Sequence, residues 1–253
     1  MITDNDFMRY SRQILLPEVG EQGQSKLKQA SVVIVGVGGL GTLVSHYLAA
    51  AGVGKIHLFD GDSIDLSNLP RQLLFSDDDI GLNKAETAAE KLWAQYGDCE
   101  IKVTNQHFDA QSQNDIDEDV LVIIDCCDNF EARRSINRFC VENEKLLVSV
   151  AVANFNLQAM VYQPDDSGCY QCLYPDSTET AENCATVGVL GPMVGIAASI
   201  QSLLAVKLLL GIPNISGKLW HFDGLNFNWF SAQLEKDPEC PVCKEQQLKE
   251  ECA

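Results

Sequence analysis

Basic residues are scarce in this chain of 253 residues. It contains 18 Lys and Arg residues against 36 Asp and Glu residues, which gives a formal net charge of −18. Proteins that bind nucleic acids or anionic membranes do so largely through clustered positive charge. The composition therefore argues against both as main partners of this protein.

A secretory signal is also missing from the sequence. The first residues, MITDNDFMRYSRQ, are polar and acidic, without the apolar segment behind a positive charge that a signal peptide has. We therefore expect a cytoplasmic protein. In that reducing compartment the ten cysteines are better explained as metal ligands, reactive thiols or buried apolar residues than as disulfides.

The chain has no long apolar run that is free of polar residues. Residues 190–211, LGPMVGIAASIQSLLAVKLLLG, come nearest, but Pro192, Gln201 and Lys207 interrupt them, with two serines between. Such residues cost heavily in hydrocarbon and little in a packed protein interior. We expect a helix in the core or at a subunit interface rather than a membrane span.

Short apolar, β-branched runs alternate with helical patterns through the first 152 residues. Strands are predicted at 31–36, 55–60, 100–105, 120–125 and 145–152, with helices after the first strand and at 84–96 and 130–143. Strands joined by helical crossovers predict an α/β fold, a Rossmann-like, doubly wound and mostly parallel sheet. Later segments, at 156–164, 218–224 and 228–234, resemble antiparallel strands that extend it.

A glycine-rich segment, GVGGLG, lies between the first predicted strand and helix. Gly36, Gly38 and Gly41 form a G-x-G-x-x-G pattern that includes Gly39, and Asp60 ends the second strand nineteen residues later. Glycines let a phosphate approach the backbone at a helix N-terminus, and the acid can accept hydrogen bonds from ribose hydroxyls. The context predicts nucleotide binding, although it does not identify the nucleotide, and the alternative is a turn made only for packing.

Polar residues follow the second strand in SNLPRQ and again in GLNK. A nicotinamide enzyme binds its pyrophosphate mainly with backbone amides, whereas cleavage of ATP at the α-phosphorus needs side chains that stabilise charge. Asn68, Arg71, Gln72 and Lys84 suit that task, and Asp128 in DCCDNF could hold Mg²⁺. The alternative is an ordinary solvated loop and helix start.

The cysteines include two Cys-x-x-Cys pairs. Cys169 and Cys172 form one, Cys240 and Cys243 the other, with 67 residues between the pairs. Four thiolates are the ligand set of a closed structural zinc site. This spacing leaves open two unrelated pairs or a disulfide.

The order of these motifs resembles the ubiquitin-activating-like adenylyltransferases, the ThiF/MoeB/HesA family, over nearly the whole chain. The resemblance rests on RYSRQ, GVGGLG, the strand-end acid, SNLPRQ, GLNK, DCCDN and the cysteine pairs. FMRYSRQILL, CYQCLYPD and LWHFDG are most similar to the branch that adenylates the sulfur carrier of the thiamine pathway. The family would make the chain one adenylation domain, with a helical segment at 1–29, a nucleotide-binding part at 30–152 and a zinc-binding remainder at 153–253.

This resemblance implies a set of roles. Asp60 would hold the ribose, and magnesium would bind at Asp128. Arg12 would reach the active site of the other subunit of a homodimer, and a cysteine matching Cys184 is implicated in a covalent link to the carrier. The phosphates would be held by Asn68, Arg71 and Lys84, with Gln72 a further residue of the nucleotide site. A zinc ion would be held by Cys169, Cys172, Cys240 and Cys243.

The sequence departs from the family pattern at two positions, and several cysteines have no chemical role assigned to them. Pro70 stands where the family usually has glutamine, and Asn83 where proline commonly precedes the lysine, which puts loop geometry in question. The alternative for Cys184 is a loop cysteine without a chemical role. We expect the remaining cysteines to be buried and to fill space in the core: Cys99, Cys126, Cys127 and Cys140.

Together these features predict an ATP-dependent adenylyltransferase. By the resemblance, its substrate is the C-terminal glycine of a ubiquitin-like sulfur carrier that ends in Gly-Gly, and pyrophosphate is released. A sulfurtransferase or cysteine desulfurase would supply sulfur for thiazole formation. The alternatives are the molybdopterin-pathway homologue, a nicotinamide-dependent oxidoreductase, disfavoured for want of a catalytic histidine and arginine cluster, and a zinc-stabilised scaffold.

Overall fold

One mixed sheet organises the protein, which we describe from a computed structural model over residues 2–164, 167–175 and 188–244. Within these ranges eight strands follow the order β3-β2-β1-β4-β5-β6-β7-β8. The strands are β1 Ser31–Val35, β2 Lys55–Phe59, β3 Glu100–Thr104, β4 Val122–Asp125, β5 Leu146–Ala153, β6 Asn156–Tyr162, β7 Lys218–Asp223 and β8 Asn228–Gln233. The α-helices are α1 Asp4–Ile14, α2 Gly20–Gln29, α3 Gly39–Ala51, α4 Lys84–Gln95, α5 Phe130–Glu142, α6 Tyr170–Leu173 and α7 Gly191–Leu210.

The first five strands are parallel, and β6, β7 and β8 continue the sheet antiparallel from β5. Every residue of β1 is buried, as expected for a strand covered on both faces. The predicted α/β fold, with its antiparallel extension, is confirmed. Because the strand order reverses between β1 and β4, a crevice opens at the carboxyl ends of these two strands, where open α/β sheets bind ligands.

Helix α7 covers one face of the sheet and is the apolar stretch noted in the sequence. It is long and apolar enough to cross a membrane by composition alone, but it packs against α3 and β5. Gln201 is fully buried, and its Nε2 donates to the Asp125 carbonyl at 2.7 Å and to the Val148 carbonyl at 3.3 Å. The expectation of a core helix fits this packing.

Helix α4 buries some of its apolar residues and leaves others exposed. Ala85, Ala88 and Leu92 are buried, whereas Trp93 is 66% exposed. Successive helix positions are 100° apart, so Trp93 lies beside the buried stripe that its neighbour Leu92 occupies.

Candidate active site

A cleft of about 1140 Å³ lies at the carboxyl ends of β1, β2 and β4. It collects most of the residues that the sequence indicated for nucleotide binding, although they come from separate strands, loops and helices. Its lining includes Gly36, Gly38, Gly39, Asp60, Arg71, Gln72, Lys84 and Asp128. Gly41, Asn68 and Arg12 are not part of this lining, and Cys184 falls outside the described residues.

The glycines of the loop have different tasks. Gly36 has a φ of 89°, in the left-handed region, and a Cβ there would lie 2.8 Å from the carbonyl oxygen of Cys126. A Cβ on Gly41 would lie 1.9 Å from the Gly36 carbonyl oxygen, so Gly41 allows α3 to pack tightly against the end of β1. Gly38 and Gly39 open α3 and line the cleft, where unpaired backbone amides of a helix N-terminus attract phosphate.

Asp60 is held rigidly at the end of β2. The residue is 7% exposed, and its carboxylate accepts hydrogen bonds from the Val37 amide at 2.7 Å and the Asp62 amide at 2.8 Å. Burial raises the pKa of Asp60, while these two amides act in the opposite direction. A carboxylate has further lone pairs, so Asp60 can still accept a ribose hydroxyl.

Lys84 begins α4 and is 8% exposed, and its Nζ forms an ion pair with Asp62 Oδ2 at 2.9 Å. The unusual Asn83 before it is the N-cap of this helix, since its Oδ1 accepts the Glu86 amide at 3.0 Å. Its Nδ2 also donates to the carbonyl of Asp60 at 3.2 Å. Asn83 therefore caps the helix and ties the lysine to the strand that carries the acid.

Gln72 and Arg71 are adjacent in sequence, but their side chains differ in how many of their polar atoms have hydrogen-bond partners. Arg71 donates from Nη1 to the Ser67 carbonyl at 2.8 Å. Gln72 is 2% exposed, and its Oε1 has no hydrogen-bond partner among the described residues. Buried polar atoms are nearly always paired in native proteins, so this orphaned atom at the cleft fits a site completed by a ligand or its water.

Asn68 is used locally rather than at the cleft. It ends a short 3₁₀ turn, Leu66–Asn68, where its Oδ1 accepts the Asp65 amide at 3.3 Å and its Nδ2 donates to Ser67 Oγ at 3.4 Å. The second N–H of Nδ2 has no partner among these hydrogen bonds, so the predicted contact with phosphate would use that group.

Asp128 lies between β4 and α5, exposed at the cleft, and α5 is capped by the next residue, Asn129, whose Oδ1 accepts the Ala132 amide at 2.8 Å. Within the described residues no cation lies within 4.0 Å of the Asp128 carboxylate, which leaves its oxygens open to a hard metal ion. Sequence reasoning missed two groups near it, Arg133 and its buried partner Asp125. Their burial and pairing are visible only in the fold, and the sequence offers no signal for them.

The four cysteines of the two Cys-x-x-Cys pairs converge on one point. All four sulfur atoms lie within 4.8 Å of one another. Three separations are 3.9 Å for Cys169–Cys172, 3.7 Å for Cys169–Cys240 and 3.5 Å for Cys172–Cys243. Sulfur atoms about 2.3 Å from a tetrahedral zinc ion lie about 3.8 Å apart, so the cluster has the dimensions of such a site.

Neighbouring donors support thiolates in this cluster. The Asp237 amide donates to Cys172 Sγ at 3.4 Å, and Asn137 Nδ2 donates to Cys169 Sγ at 3.5 Å. Hydrogen bonds among these thiols lower the pKa of Cys172 but raise the pKa of Cys169 and Cys243, so one thiolate is favoured before a metal ion binds. These cysteines can therefore hold a metal ion, whereas the separate thiols Cys99, Cys126 and Cys140 are buried as expected and Cys127 is half-buried.

Arg12 lies in the last turn of α1, exposed, and outside the cleft of its own chain. The helix that carries it is fixed at both ends. Thr3 and Asp6 form a capping box, and Gln13 donates from Nε2 to the Ala51 carbonyl at 3.2 Å and to Gln24 Oε1 at 2.9 Å. Arg12 therefore projects from a well-anchored helix.

Comparison with known proteins finds relatives that match nearly the whole chain. The sulfur carrier protein ThiS adenylyltransferase of Escherichia coli (strain K12) is 42% identical over 243 residues, which cover 96% of this chain and 97% of that protein. The adenylyltransferase and sulfurtransferase MOCS3-1 of Drosophila pseudoobscura pseudoobscura is 39% identical over 251 residues, 98% of this chain. The chain spans 56% of that longer relative.

Among solved structures, E. coli MccB with MccA-N7isoASN superposes with a TM-score of 0.82 at 26% identity, covering 94% of this chain and 74% of that one. MccB with ATP gives a TM-score of 0.80 at 26% identity, covering 93% and 74%. The model of the ThiF family matches residues 10–242. The chain therefore belongs to the ThiF family.

Proposed function

We propose that this protein is an ATP-dependent adenylyltransferase, which transfers AMP to the C-terminal glycine carboxylate of a ubiquitin-like sulfur carrier protein. The observation that carries the proposal is the convergence of Asp60, Arg71, Lys84 and Asp128 on one cleft. A relative that is similar over its whole length and named a ThiS adenylyltransferase supports this reading. The thiamine pathway, with thiazole as the product of sulfur delivery, is therefore the proposed setting.

The nucleotide would lie along the carboxyl ends of the strands. Asp60 would accept the ribose hydroxyls, and the amides of Gly38 and Gly39 would bind phosphate at the start of α3. Gln72 would complete its hydrogen bonding with the nucleotide or with its water. A structure of the similar protein MccB with ATP supports ATP rather than a dinucleotide as the ligand.

The reaction needs no general base. The carrier carboxylate is ionised at neutral pH, attacks the α-phosphorus, and displaces pyrophosphate as the P–O bond breaks. Arg71 offers a planar fork and Lys84 a point charge to the negative charge that develops on the attacked phosphorus and the leaving group. To reach the phosphates, the Lys84 ammonium must share or leave its ion pair with Asp62.

Magnesium fits this cleft through Asp128, whose exposed carboxylate is the oxygen ligand that this ion prefers. When bound, the ion would neutralise phosphate charge. Zinc fits the four-cysteine cluster, where it would serve structure rather than catalysis. Cys184 remains proposed as a site of covalent attachment to the carrier.

We also propose a cytoplasmic homodimer in which Arg12 enters the cleft of the other subunit. Its position outside its own cleft supports this arrangement. A cysteine desulfurase or sulfurtransferase is the proposed sulfur donor. The similarity to MOCS3-1 favours a second candidate, in which the same chemistry acts on the molybdopterin-pathway carrier.

Exchange of labelled pyrophosphate into ATP tests the function. We expect exchange that requires Mg²⁺ and a thiamine-pathway carrier with an intact Gly-Gly end, and we expect a carrier lacking these two residues to give none. Equal or faster exchange with the molybdopterin-pathway carrier would select the second candidate. Absence of exchange with every carrier, together with tight NADH binding, would refute both.

Loss of the metal cluster should destabilise the C-terminal part of the chain. We expect reductant-purified protein to contain about one zinc per chain, and Cys240→Ala to lose it. Metal-binding energy at a structural site is folding energy, so Tm should fall. Each 1 kcal/mol of lost stability should lower Tm by roughly 2–4 °C for a chain of this size.

Metal analysis and calorimetry check this expectation, with ATP-analogue affinity as the test that the cleft is intact. Cys140→Ala is the matched control, since Cys140 is a buried thiol outside the cluster. It should keep the zinc. Wild-type protein that carries no zinc after purification under reducing conditions would contradict the assignment.

A further inference from the structure

A buried ion pair lies beside the cleft, and none of the roles proposed above uses it. Asp125 ends β4 and Arg133 lies on α5, and their side chains are 1% and 6% exposed. Arg133 Nη1 and Asp125 Oδ2 are 3.1 Å apart. Because a buried charge that loses its partner is strongly destabilising, each side chain fixes the position of the other.

The pair holds the two peptide groups on either side of Cys127. Asp125 Oδ1 accepts the amide of Cys127 at 3.0 Å, and Arg133 Nη2 donates to the carbonyl of the same residue. Cys127 directly precedes Asp128. These two hydrogen bonds therefore set the direction in which the chain leaves β4 and presents Asp128 to the cleft.

Strand β5 anchors the pair to the sheet. Ser149 Oγ donates to Asp125 Oδ2 at 2.6 Å and accepts from Arg133 Nη1 at 3.1 Å. Arg133 Nη2 also donates to the Val150 carbonyl at 3.2 Å. The guanidinium thus joins strand β4, strand β5 and the loop, and its Nη1 and Nη2 groups donate to the protein itself.

We propose that the Asp125–Arg133 pair positions Asp128 for the divalent cation that enters with ATP, which makes Arg133 a positioning residue for the reaction. The inference rests on the proposed function, since it requires Asp128 to be the cation ligand. Residues that orient a metal ligand through hydrogen bonds typically change the metal affinity 10–100-fold when they are replaced.

Arginine is needed for this arrangement because of its shape. A planar fork with five N–H groups can reach a carboxylate, a hydroxyl and two carbonyls together, whereas a lysine ammonium is a single point. Arg133→Lys keeps the buried charge beside Asp125 but releases the carbonyl of Cys127. The variant therefore loosens the loop without leaving a carboxylate unpaired.

The test is cation binding, measured apart from turnover. Mn²⁺ is titrated into full-length protein saturated with an α,β-methylene ATP analogue, and electron paramagnetic resonance reports the free ion. We expect Arg133→Lys to weaken Mn²⁺ binding at least about tenfold. Affinity for the analogue in EDTA should remain within about twofold of wild type, because the nucleotide contacts are elsewhere in the cleft.

Arg138→Lys is the matched control, since Arg138 lies on the same helix and is exposed. It should bind Mn²⁺ as wild type does. Ser149→Ala removes one bridging hydroxyl without changing charge, so it should weaken Mn²⁺ binding by a smaller factor, and it serves if Arg133→Lys does not fold. In an Asp128→Asn background, neither change should have a further effect.

The outcomes separate the inference from the proposed function. Unchanged Mn²⁺ affinity in the folded variants would overturn the positioning role alone. An equal loss of analogue affinity in EDTA would also overturn it, since the pair would then support the whole cleft. A complex of wild-type protein with the analogue that takes up no Mn²⁺ would overturn the role of Asp128 and, with it, the inference.

Discussion

Asp128→Asn should reduce carrier-dependent pyrophosphate exchange at least about 100-fold, the scale on which loss of one transition-state charge contact is felt. An amide of nearly the same size keeps the shape of the cleft but loses the negative charge that would hold magnesium. Asp128 is exposed, so the free energy of unfolding should change by no more than about 0.5 kcal/mol. Exchange assays over a range of Mg²⁺ concentrations and a denaturant titration measure the two effects.

Glu131→Gln is the matched control for this change. Glu131 lines the same cleft three residues further along the chain, and its replacement also removes one negative charge. If the loss in Asp128→Asn came only from the net charge of the cleft, Glu131→Gln would show it too. Full activity of Asp128→Asn at ordinary magnesium would rule out the metal-binding role.

Mixing two inactive variants should restore activity if Arg12 works across a dimer interface. Arg12→Ala and Lys84→Ala are each expected to be inactive as homodimers. A mixed dimer has one site that lacks both groups and one site that is intact. When subunits redistribute at random, half of the dimers are mixed, and one of the two sites in each mixed dimer is intact. About one quarter of the wild-type rate of pyrophosphate exchange should therefore return.

Arg71→Ala mixed with Lys84→Ala is the control for this experiment. Both residues line the cleft of their own chain, so every site in the mixed dimer lacks one of them and no activity should return. Subunit exchange is shown separately, with two differently tagged chains. If exchange occurs and Arg12→Ala with Lys84→Ala stays inactive, Arg12 serves its own subunit.

The nucleotide cleft could be anticipated because its signals are local. About thirty residues of sequence indicate a βαβ unit, because a glycine loop lies between strand and helix and Asp60 follows at the end of the next strand. The cysteine pairs are different. Their meeting depends on how the short helix α6, with Cys169 just before it, and the tail after β8 come to the same place, so spacing alone left other pairings open.

Other features of the site needed the folded chain. The Asn68 side chain bonds to its own turn, because short polar side chains compete for nearby backbone groups. Gly41 looks like a phosphate-loop glycine in sequence but is required by close packing. The partners of Arg133 come from two strands and a loop, and no fixed spacing in sequence connects them.

The order of the strands bears on how the protein is made. Strand β1 pairs with β2 soon after it in the chain, but its other neighbour is β4, roughly ninety residues later at Val32↔Val122. Domains fold during synthesis as their segments emerge, and pairings between distant segments form slowly. A ribosome-bound chain that stops before β4 thus has the glycine loop and Asp60 but only one wall of the cleft. Affinity for ATP should first arise in nascent chains once β4 and α5 have left the exit tunnel.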